Sequence, residues 1–295
     1  MHSPSARALL AAVVDYAGLF PPAALSMPEA VAEYAAAQRG SDAWMLGRFV
    51  LTAARLPEFA EALAAAAPAG RWRLSAIVRD GSHEDRDAVS DFNAASADHL
   101  AIVDTIECKP QTLEGIDWLA EEFGPSFDVY VEVTAGDDAP RWLERVGERG
   151  LKGKVRTGGL TPDAFPSPGA LLTFIEAAVR LRVPFKATAG LHHAVRGSYR
   201  LTYEDQAAQA PMYGYLNVIL ATAAIRAGLP RSVVEQVLCQ TDTSSLVFSD
   251  ESIRWGAAEW PAGIVGGTRA EQLVSFGSCS FREPVDELHS LIPDP

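Results

Sequence analysis

Short apolar segments alternate with helix-like segments along most of this 295-residue chain, at a spacing of roughly 25 to 35 residues. Apolar segments of this length are typical of buried strands, and the longer amphipathic segments between them are typical of helices. Regular alternation of the two favours parallel strands joined by right-handed helical crossovers. We therefore expect an α/β protein built on a parallel sheet.

The elements follow from the apolar periodicity and from capping signals, such as Ser26 with Pro28 and Glu29. The expected strands are Val14–Phe20, Trp44–Thr52, Leu74–Val78, His99–Ile106, Val129–Val133, Lys154–Gly159, Lys186–His193 and Leu273–Phe281. The expected helices are Ser3–Val13, Ser26–Arg39, Pro57–Ala67, about His83–Ala97, Gln111–Phe123, Ala139–Arg149, a block around Ala170–Leu181, Glu204–Gly228, Arg231–Gln240 and Pro284–Leu291. The segments Leu246–Phe248 and Ile253–Trp255 are expected to be irregular or short.

Seven strands with regular crossovers, followed by an eighth after a long insertion, predict a (β/α)8 TIM barrel. An N-terminal capping helix and a helical insertion before the last strand complete this expectation. The alternative is an open doubly wound sheet, but no Gly-x-Gly-x-x-Gly pattern follows the first strand. No Pro/Gly/Ser-rich linker divides the chain, so we expect one domain over residues 1–295.

The charge is −13 overall but unevenly distributed. Residues 141–200 hold eleven Lys/Arg and four Asp/Glu, which is +7 and leaves −20 for the rest. An acidic protein is a poor partner for nucleic acid or an anionic membrane, whereas a local basic region fits a small anionic substrate. A solvated helix face with Arg141, Arg145 and Arg149 explains about half of this excess.

Three cysteines without metal-type spacing fit a reducing cytoplasm. The apolar run Ala8–Val14 is too short for a signal peptide, and no run approaches the roughly 18 residues that span a bilayer. We therefore expect a cytoplasmic protein without a cofactor. Trp255 and Trp260, in a glycine-rich region, are candidates for a lid or for the subunit contact of a homo-oligomer.

Two strand-like segments each carry a lysine and end in glycine. In the first, Lys154 and Arg156 share one face, and in the second Lys186 and Thr188 share one face. If the strands are parallel neighbours, these cations converge at one end of the sheet, where we expect them to bind an anion. Two neighbouring lysines lower each other's pKa, and a neutral lysine can attack a carbonyl to form a Schiff base.

The pattern Lys154-x-x-Thr157-Gly158, followed by Lys186-Ala187-x-x-Gly190-Leu191, resembles the strand-six and strand-seven motifs of the deoxyribose-phosphate aldolase family. The resemblance covers about 40 residues and implies a class I aldolase on a (β/α)8 barrel. It implies that Lys154 is the nucleophile, that Lys186 tunes it, and that Gly158 and Gly190 lie in phosphate-binding loops. Arg156 and the His192-His193 pair depart from the family pattern, and Asp104 or Glu107 is the nearest match to its strand-four aspartate.

The sequence thus predicts a lyase for a small anionic carbonyl compound, with catalytic residues from strand ends and the loops that follow them. The expected catalytic residues are Lys154, Lys186, Glu132 and His192. The expected substrate-binding residues are Arg156, Thr157, Gly158, Gly159, Thr188, Gly190, His193, Asn217, Ser278 and Ser280. Cys279 has no base nearby in sequence and is expected to be a small core residue.

Two alternatives remain at this stage. Glu132, His192 and His193 could support a metal- or acid/base-dependent lyase or isomerase, although adjacent strand residues point to opposite faces and argue against one shared metal ion. The second alternative is a barrel without catalysis that binds a phosphorylated metabolite. Its lysines would carry no shifted pKa.

Overall fold

The computed structural model describes residues 3–66, 70–95 and 100–291. Eight strands form the centre of the fold: β1 (Val14–Tyr16), β2 (Leu46–Thr52), β3 (Trp72–Ile77), β4 (Ala101–Cys108), β5 (Asp128–Glu132), β6 (Lys152–Arg156), β7 (Phe185–Thr188) and β13 (Leu273–Ser278). They are parallel and close into a barrel in the order β1-β13-β7-β6-β5-β4-β3-β2. The barrel closes where β1 pairs with β13, with Asp15 opposite Gly277.

Helices connect the strands and surround the barrel. They are α1 (Pro4–Leu10), α2 (Met27–Arg39), α3 (Leu56–Ala66), α4 (His83–Ala95), α5 (Leu113–Glu122), α6 (Ala139–Glu148), α7 (Pro168–Leu181), α8 (Tyr215–Arg226), α9 (Arg231–Cys239), α10 (Ala262–Glu271) and α11 (Arg282–Leu291). The chain is therefore a (β/α)8 TIM barrel, as expected, and the closed strand order excludes the alternative of an open doubly wound sheet.

Local signals place the helix starts. Ser26 and Glu29 form a reciprocal capping box at the start of α2. The hydroxyl of Ser167 accepts a hydrogen bond from Ala170 N, and Pro168 occupies the first turn of α7. These caps satisfy backbone groups that a helix leaves without intrahelical partners.

Buried apolar side chains fill the layer between barrel and helices. An aromatic cluster under α2 and α3 joins Tyr34, Phe49, Phe59 and Trp72, with ring centroids 4.4–5.9 Å apart. Helix α1 packs on α10, where the guanidinium of the buried Arg269 donates to Leu9 O at 2.7 Å. The N-terminal helix expected from the sequence is thus tied to the last crossover.

The insertion between β7 and β13 is only partly helical. It contains a hairpin, β8 (Gly197–Arg200) with β9 (Gln209–Met212), then α8 and α9, and then a three-stranded sheet of β10 (Leu246–Phe248), β11 (Ser252–Trp255) and β12 (Ala258–Pro261). The expected helix Glu204–Gly228 was therefore wrong in its first part. Pro211 cannot donate a helical hydrogen bond, and the helix begins only after Gly214.

Several other boundaries differ from the sequence expectations. Strand β1 ends at Tyr16, because the chain turns at once and Phe20 N donates to Ala17 O. Ala67, Ala97 and His99, which bounded expected elements, lie outside the described residues. Trp255 and Trp260 are 3% and 0% exposed in β11 and β12, so neither side chain is free to form a lid or a subunit contact. In the described ranges, no helix combines the length and apolarity needed to cross a membrane.

Candidate active site

Charged and hydroxyl side chains from seven of the eight barrel strands meet inside the barrel. They come one from each strand: Asp15 (β1), Ser75 (β3), Glu107 (β4), Glu132 (β5), Lys154 (β6), Lys186 (β7) and Ser275 (β13). Six of these seven residues are buried, and the side chain of the seventh, Glu132, is 9% exposed. Buried charges persist only when they are paired or functional, and here they form one connected cluster.

Glu107 is the centre of this cluster because its carboxylate binds both lysines. Its Oε2 atom lies 2.9 Å from Lys154 Nζ, and its Oε1 atom forms a shorter ion pair with Lys186 Nζ. Ser75 Oγ also donates to Oε1 at 2.6 Å. Burial raises the pKa of Glu107, but Lys154, Lys186 and Ser75 outweigh burial and hold the pKa well below its usual range. Glu107 therefore stays ionised at the carboxyl end of the fourth barrel strand.

Asp15 holds the second lysine from the opposite side. Its Oδ2 atom lies 3.3 Å from Lys186 Nζ and accepts a hydrogen bond from Ser275 Oγ at 2.7 Å. Its Oδ1 atom accepts from Arg48 N at 2.9 Å. A side chain at Gly47 would overlap this carboxylate, which explains the glycine there. Lys186 is thus enclosed by protein groups, and its Nζ also lies 4.7 Å from the centre of the Tyr130 ring.

Lys154 lies between two carboxylates. Glu132 Oε2 is 3.0 Å from Lys154 Nζ, opposite Glu107. Burial lowers the pKa of Lys154, but the charges of Glu107 and Glu132 raise it by more, so the net shift of this pKa is upward. The expected lowering of the lysine pKa by a second lysine is therefore wrong. The anion that meets these lysines is supplied by the protein itself, since its own carboxylates outnumber the amines.

A cavity of about 330 Å³ opens above this cluster. Asp15, Glu107, Lys154 and Lys186 form its floor. The cavity lining also includes the apolar residues Phe20, Pro21, Pro22, Val50, Ile77, Leu160, Leu201 and Met212. This volume is at the lower end of the range for small-molecule sites. The arrangement suits a small compound that presents a reactive polar group to the floor.

His192 and His193 both line the cavity but have different partners. His192 Nδ1 lies 3.4 Å from both Ser278 Oγ and Cys279 Sγ, and 3.6 Å from Glu283. Burial lowers the pKa of His192 to about 4, so its imidazole is neutral at pH 7. His193 Nδ1 binds Glu287 Oε1 at 2.5 Å, and its ring stacks on Tyr199. His192 is therefore a neutral imidazole at the cavity wall, whereas His193 is held by Glu287 and Tyr199.

Cys279 lies at the cavity wall rather than in the apolar core. Its Sγ atom is 3.5 Å from the hydroxyl of Tyr203, in addition to its contact with His192. Burial raises the pKa of this thiol to about 11. The thiol is thus protonated at neutral pH and is a poor nucleophile.

The loops after β6 and β7 place the other expected residues at unequal distances from the cavity. Gly159, Gly190 and Thr188 line it. Thr157 is fully buried, and its hydroxyl donates to Ala189 O at 2.5 Å, so that it ties the two strand ends together. Gly158 is covered by the ring of Phe165, which would overlap a side chain at this position.

Three further expected contacts are placed differently. Asn217 is buried at the start of α8, where its amide accepts from Arg196 N and donates to Val237 O and Gln240 O. The expected substrate contact of Asn217 is therefore corrected, because backbone groups occupy its amide. Ser280 Oγ accepts from Glu283 N in the first turn of α11, and Ser278 contacts His192. Ser278 thus contacts His192, which lines the cavity, whereas the contact of the Ser280 hydroxyl is with the start of a helix.

The list of expected site residues lacked several groups that line the cavity or its floor. Asp15 and Glu107 are acids at buried positions of largely apolar strands, a signal that the sequence carries. Arg200 and Tyr203 come from the β8–β9 hairpin, and nothing in the strand pattern indicates them, whereas Glu283 in α11 follows the end of the last strand, where polar residues are expected. Among the residues that the structure describes, no group of three or more His, Cys, Asp or Glu side chains has an arrangement suited to a metal ion.

The fold and site together define a (β/α)8 barrel whose interior holds a lysine–carboxylate cluster beneath a small cavity. A scan of known family models gives no match to the chain, and a search of curated proteins also gives none. Among solved structures, the chain is similar to a FabK mutant from Thermotoga maritima at 10% identity and a TM-score of 0.42, covering 99% of this chain and 97% of that one. It is also similar to the spore cortex-lytic enzyme SleL of Bacillus cereus at 6% identity and a TM-score of 0.40, covering 95% and 73%.

Proposed function

We propose that this barrel is a carbon–carbon lyase that acts on a small anionic carbonyl compound through a Schiff base at Lys154. The observation that carries the proposal is the position of Lys154 Nζ, at the cavity floor and within 3.0 Å of two buried carboxylates. An amine in this environment has a proton acceptor on each side. An approaching carbonyl carbon can reach it from the open cavity.

The raised pKa of Lys154 means that the resting amine is protonated. The first step is therefore transfer of one proton from Lys154 to Glu132, whose Oε2 atom is 3.0 Å away. The neutral amine then attacks the carbonyl carbon, and the carbinolamine loses water to form an iminium ion. The bond between the α and β carbons then breaks: the β-hydroxyl gives its proton to His192, the β-carbon leaves as the first carbonyl product, and the electron pair of the bond moves into the iminium to form an enamine. Protonation and hydrolysis of the enamine release the second product and restore the Lys154 amine.

Lys186 and Glu107 support these steps without bonding to the substrate. Lys186 is 1% exposed and saturated by Asp15, Glu107 and Ser75, which leaves little room for covalent attack. Its charge keeps Glu107 ionised, and Glu107 in turn orients Lys154. Neutral His192 lies at the cavity wall, where it can accept the proton of the hydroxyl next to the bond that breaks.

The test is borohydride trapping with a panel of small aldehydes and ketones, read by intact mass and peptide mapping. We expect one adduct on Lys154 in the native protein and none in Lys154→Met. Lys152→Met is the matched control, because Lys152 lies on the same strand but binds Asp128 at 2.6 Å instead of the cavity cluster. The control should retain the adduct. An adduct on Lys186 or on surface lysines, or none from any carbonyl with folded protein, would overturn the Schiff-base mechanism.

The raised pKa of Lys154 also favours a second candidate function, an acid/base lyase or isomerase. In that case protonated Lys154 stabilises an enolate while Glu132 removes a proton from carbon. Folded protein that forms no adduct but exchanges substrate carbon-bound hydrogen for deuterium, in a reaction lost in Glu132→Gln, would support this candidate over the first.

A further inference from the structure

A second group of polar side chains lies one layer above the lysines. Arg156 pairs in register with Thr188, just as Lys154 pairs with Lys186 two residues earlier on the same strands. All four residues line the same cavity. A strand rises roughly 3.3 Å per residue, so the backbones of the two layers are roughly 7 Å apart. The layers share one face of the sheet because side chains alternate across a strand.

Within the described residues, the side chains of Arg156 and Thr188 lack ion-pair or hydrogen-bond partners, in contrast to the lysines below. Thr188 Oγ1 is a buried hydroxyl without a hydrogen-bond partner in the described part of the chain. Arg156 is an exposed residue at the end of β6 and forms no ion pair with any residue that the structure describes. Buried polar atoms are nearly always satisfied in folded proteins, so an unsatisfied hydroxyl on a residue of the cavity lining points to a partner that the protein itself does not supply.

The β8–β9 hairpin adds a second arginine to this layer. Arg200, at the end of β8, lines the cavity and likewise forms no ion pair within the described ranges. The hairpin is held over the loop after β6 because Leu201, Ala210 and Met212 pack against Phe165. The hairpin thus brings Arg200 to the cavity mouth that Arg156 lines. Glu283 also lines the cavity, beside His192 and Tyr203, and burial raises its pKa.

We infer that Arg156, Thr188 and Arg200 form an anion subsite that selects the substrate. The reacting carbonyl in this inference comes from the proposed function, whereas the subsite itself is argued from the cavity residues alone. Two guanidinium groups and a hydroxyl match the oxygens of a carboxylate or a phosphate. The spacing of the layers separates this anion from the carbonyl at Lys154. The substrate class is therefore an oxo compound with a terminal anionic group about two to three carbons from the carbonyl.

The first test compares trapping of succinic semialdehyde with that of neutral butanal in the full-length protein. The readout is the ratio of their half-saturation concentrations, which reports the preference for the anion. In Arg156→Met and in Arg200→Met we expect this preference to fall about tenfold, and in Thr188→Val about threefold, as the loss of charge-assisted hydrogen bonds implies. Arg254→Met, which removes an exposed arginine outside the cavity, should leave the ratio unchanged.

The phosphate ester of hydroxypropanal and neutral hydroxypropanal form the second pair of probes. A larger preference for this ester than for succinic semialdehyde assigns the subsite to a phosphate, and the reverse assigns it to a carboxylate. Glyoxylate, whose carboxylate adjoins the carbonyl, should show no loss in the arginine variants. An equal loss for glyoxylate would overturn the inferred spacing.

The second test does not depend on Schiff-base chemistry. Inorganic phosphate and acetate should raise the melting temperature of the native protein and of Lys154→Met, but not that of an Arg156→Met/Arg200→Met double variant. Anion stabilisation that depends on the arginines, without any trapped adduct, would keep the subsite and remove the proposed function. Anion stabilisation that is unchanged in the double variant would overturn the subsite, even if Lys154 is trapped.

Discussion

At the scale of single residues, Glu107 decides the protonation of the site. Its carboxylate pairs with two lysines from neighbouring strands, so both lysines depend on it. Such a buried group costs free energy to desolvate, and the cost is recovered only while both partners are present. The charge states of Lys154 and Lys186 are therefore coupled to each other through Glu107. This coupling can be measured through stability as well as through activity.

The first residue-scale prediction concerns Glu107→Gln. The substitution keeps the shape but leaves two buried lysines with one fewer anion, so we expect a loss of about 3–5 kcal/mol in the free energy of unfolding at pH 7. Urea denaturation measures this loss. Glu84→Gln, at an exposed carboxylate paired with Arg79, is the control and should cost less than about 1 kcal/mol. A Glu107→Gln loss as small as that of the control would show that the cluster is not coupled.

The second residue-scale prediction concerns how the free energy of unfolding falls at acid pH, where Glu107 becomes protonated. The folded pKa of Glu107 is lowered, so the folded state binds fewer protons than the unfolded state below the unfolded pKa of about 4.3. Its stabilisation is therefore complete above that pH and is lost as the pH falls. Between pH 4 and pH 3, the native protein should lose stability faster than Glu107→Gln, by up to about 1.4 kcal/mol per pH unit. Parallel acid limbs for the two proteins would contradict this assignment.

At the scale of elements, the β8–β9 hairpin is the part of the insertion that completes the cavity. It is a two-stranded sheet outside the barrel, and two-stranded sheets are marginal unless they pack on something else. Phe165 and the hairpin residues Leu201 and Met212 form a small apolar cluster that supplies this packing. The position of Arg200 thus depends on a contact made by the loop after β6.

The element-scale prediction is that Phe165→Ala loosens the hairpin without unfolding the barrel. Hydrogen exchange should speed up in residues 197–212, whereas exchange in the barrel strands should stay slow. Phe174→Ala is the control, because Phe174 is fully buried against Phe185 in the main core. The control should cost about 3–5 kcal/mol of global stability. Uniformly faster exchange in Phe165→Ala would show that the hairpin and the barrel unfold as one unit.

At the scale of the whole molecule, the two ends of the chain meet through Arg269. This buried guanidinium donates to Leu9 O and Ala11 O at the C-terminal end of α1 and to Leu273 O and Val274 O in β13. Burial lowers its pKa to about 10, yet it stays charged at neutral pH. It thus fastens α1, α10 and the last barrel strand where the barrel closes.

The whole-molecule prediction is that Arg269→Met destabilises the protein by about 3 kcal/mol or more, since buried carbonyls lose charged donors. Thermal and urea denaturation measure this change. Arg226→Met is the control, because Arg226 pairs with the largely exposed Glu271 and should cost less than about 1 kcal/mol. A small loss in Arg269→Met would mean that α1 and the closing strand are held by apolar packing instead.

Much of the barrel follows from the order of residues along the chain, because apolar periodicity and helix caps are local properties. The eight strands and the helices between them, including Ser26–Glu29 and Ser167–Pro168, lie close to where these local patterns place them. The positions of Lys154 and Lys186 as neighbours also follow, since consecutive parallel strands pair in a regular barrel. The β8–β9 hairpin was not predicted, although Pro211 and Gly214 are residues that disfavour a continuous helix there.

The electrostatics of the site could not be derived in this way, because they depend on side chains far apart in sequence. Asp15 and Lys186 are 171 positions apart, and only barrel closure brings them into contact. The paired carboxylates reverse the expected direction of the Lys154 pKa, and Arg200 reaches the cavity through packing of the insertion. Strand positions are set by local hydrophobic pattern, whereas protonation states are set by distances across the barrel, which exist only in the folded chain.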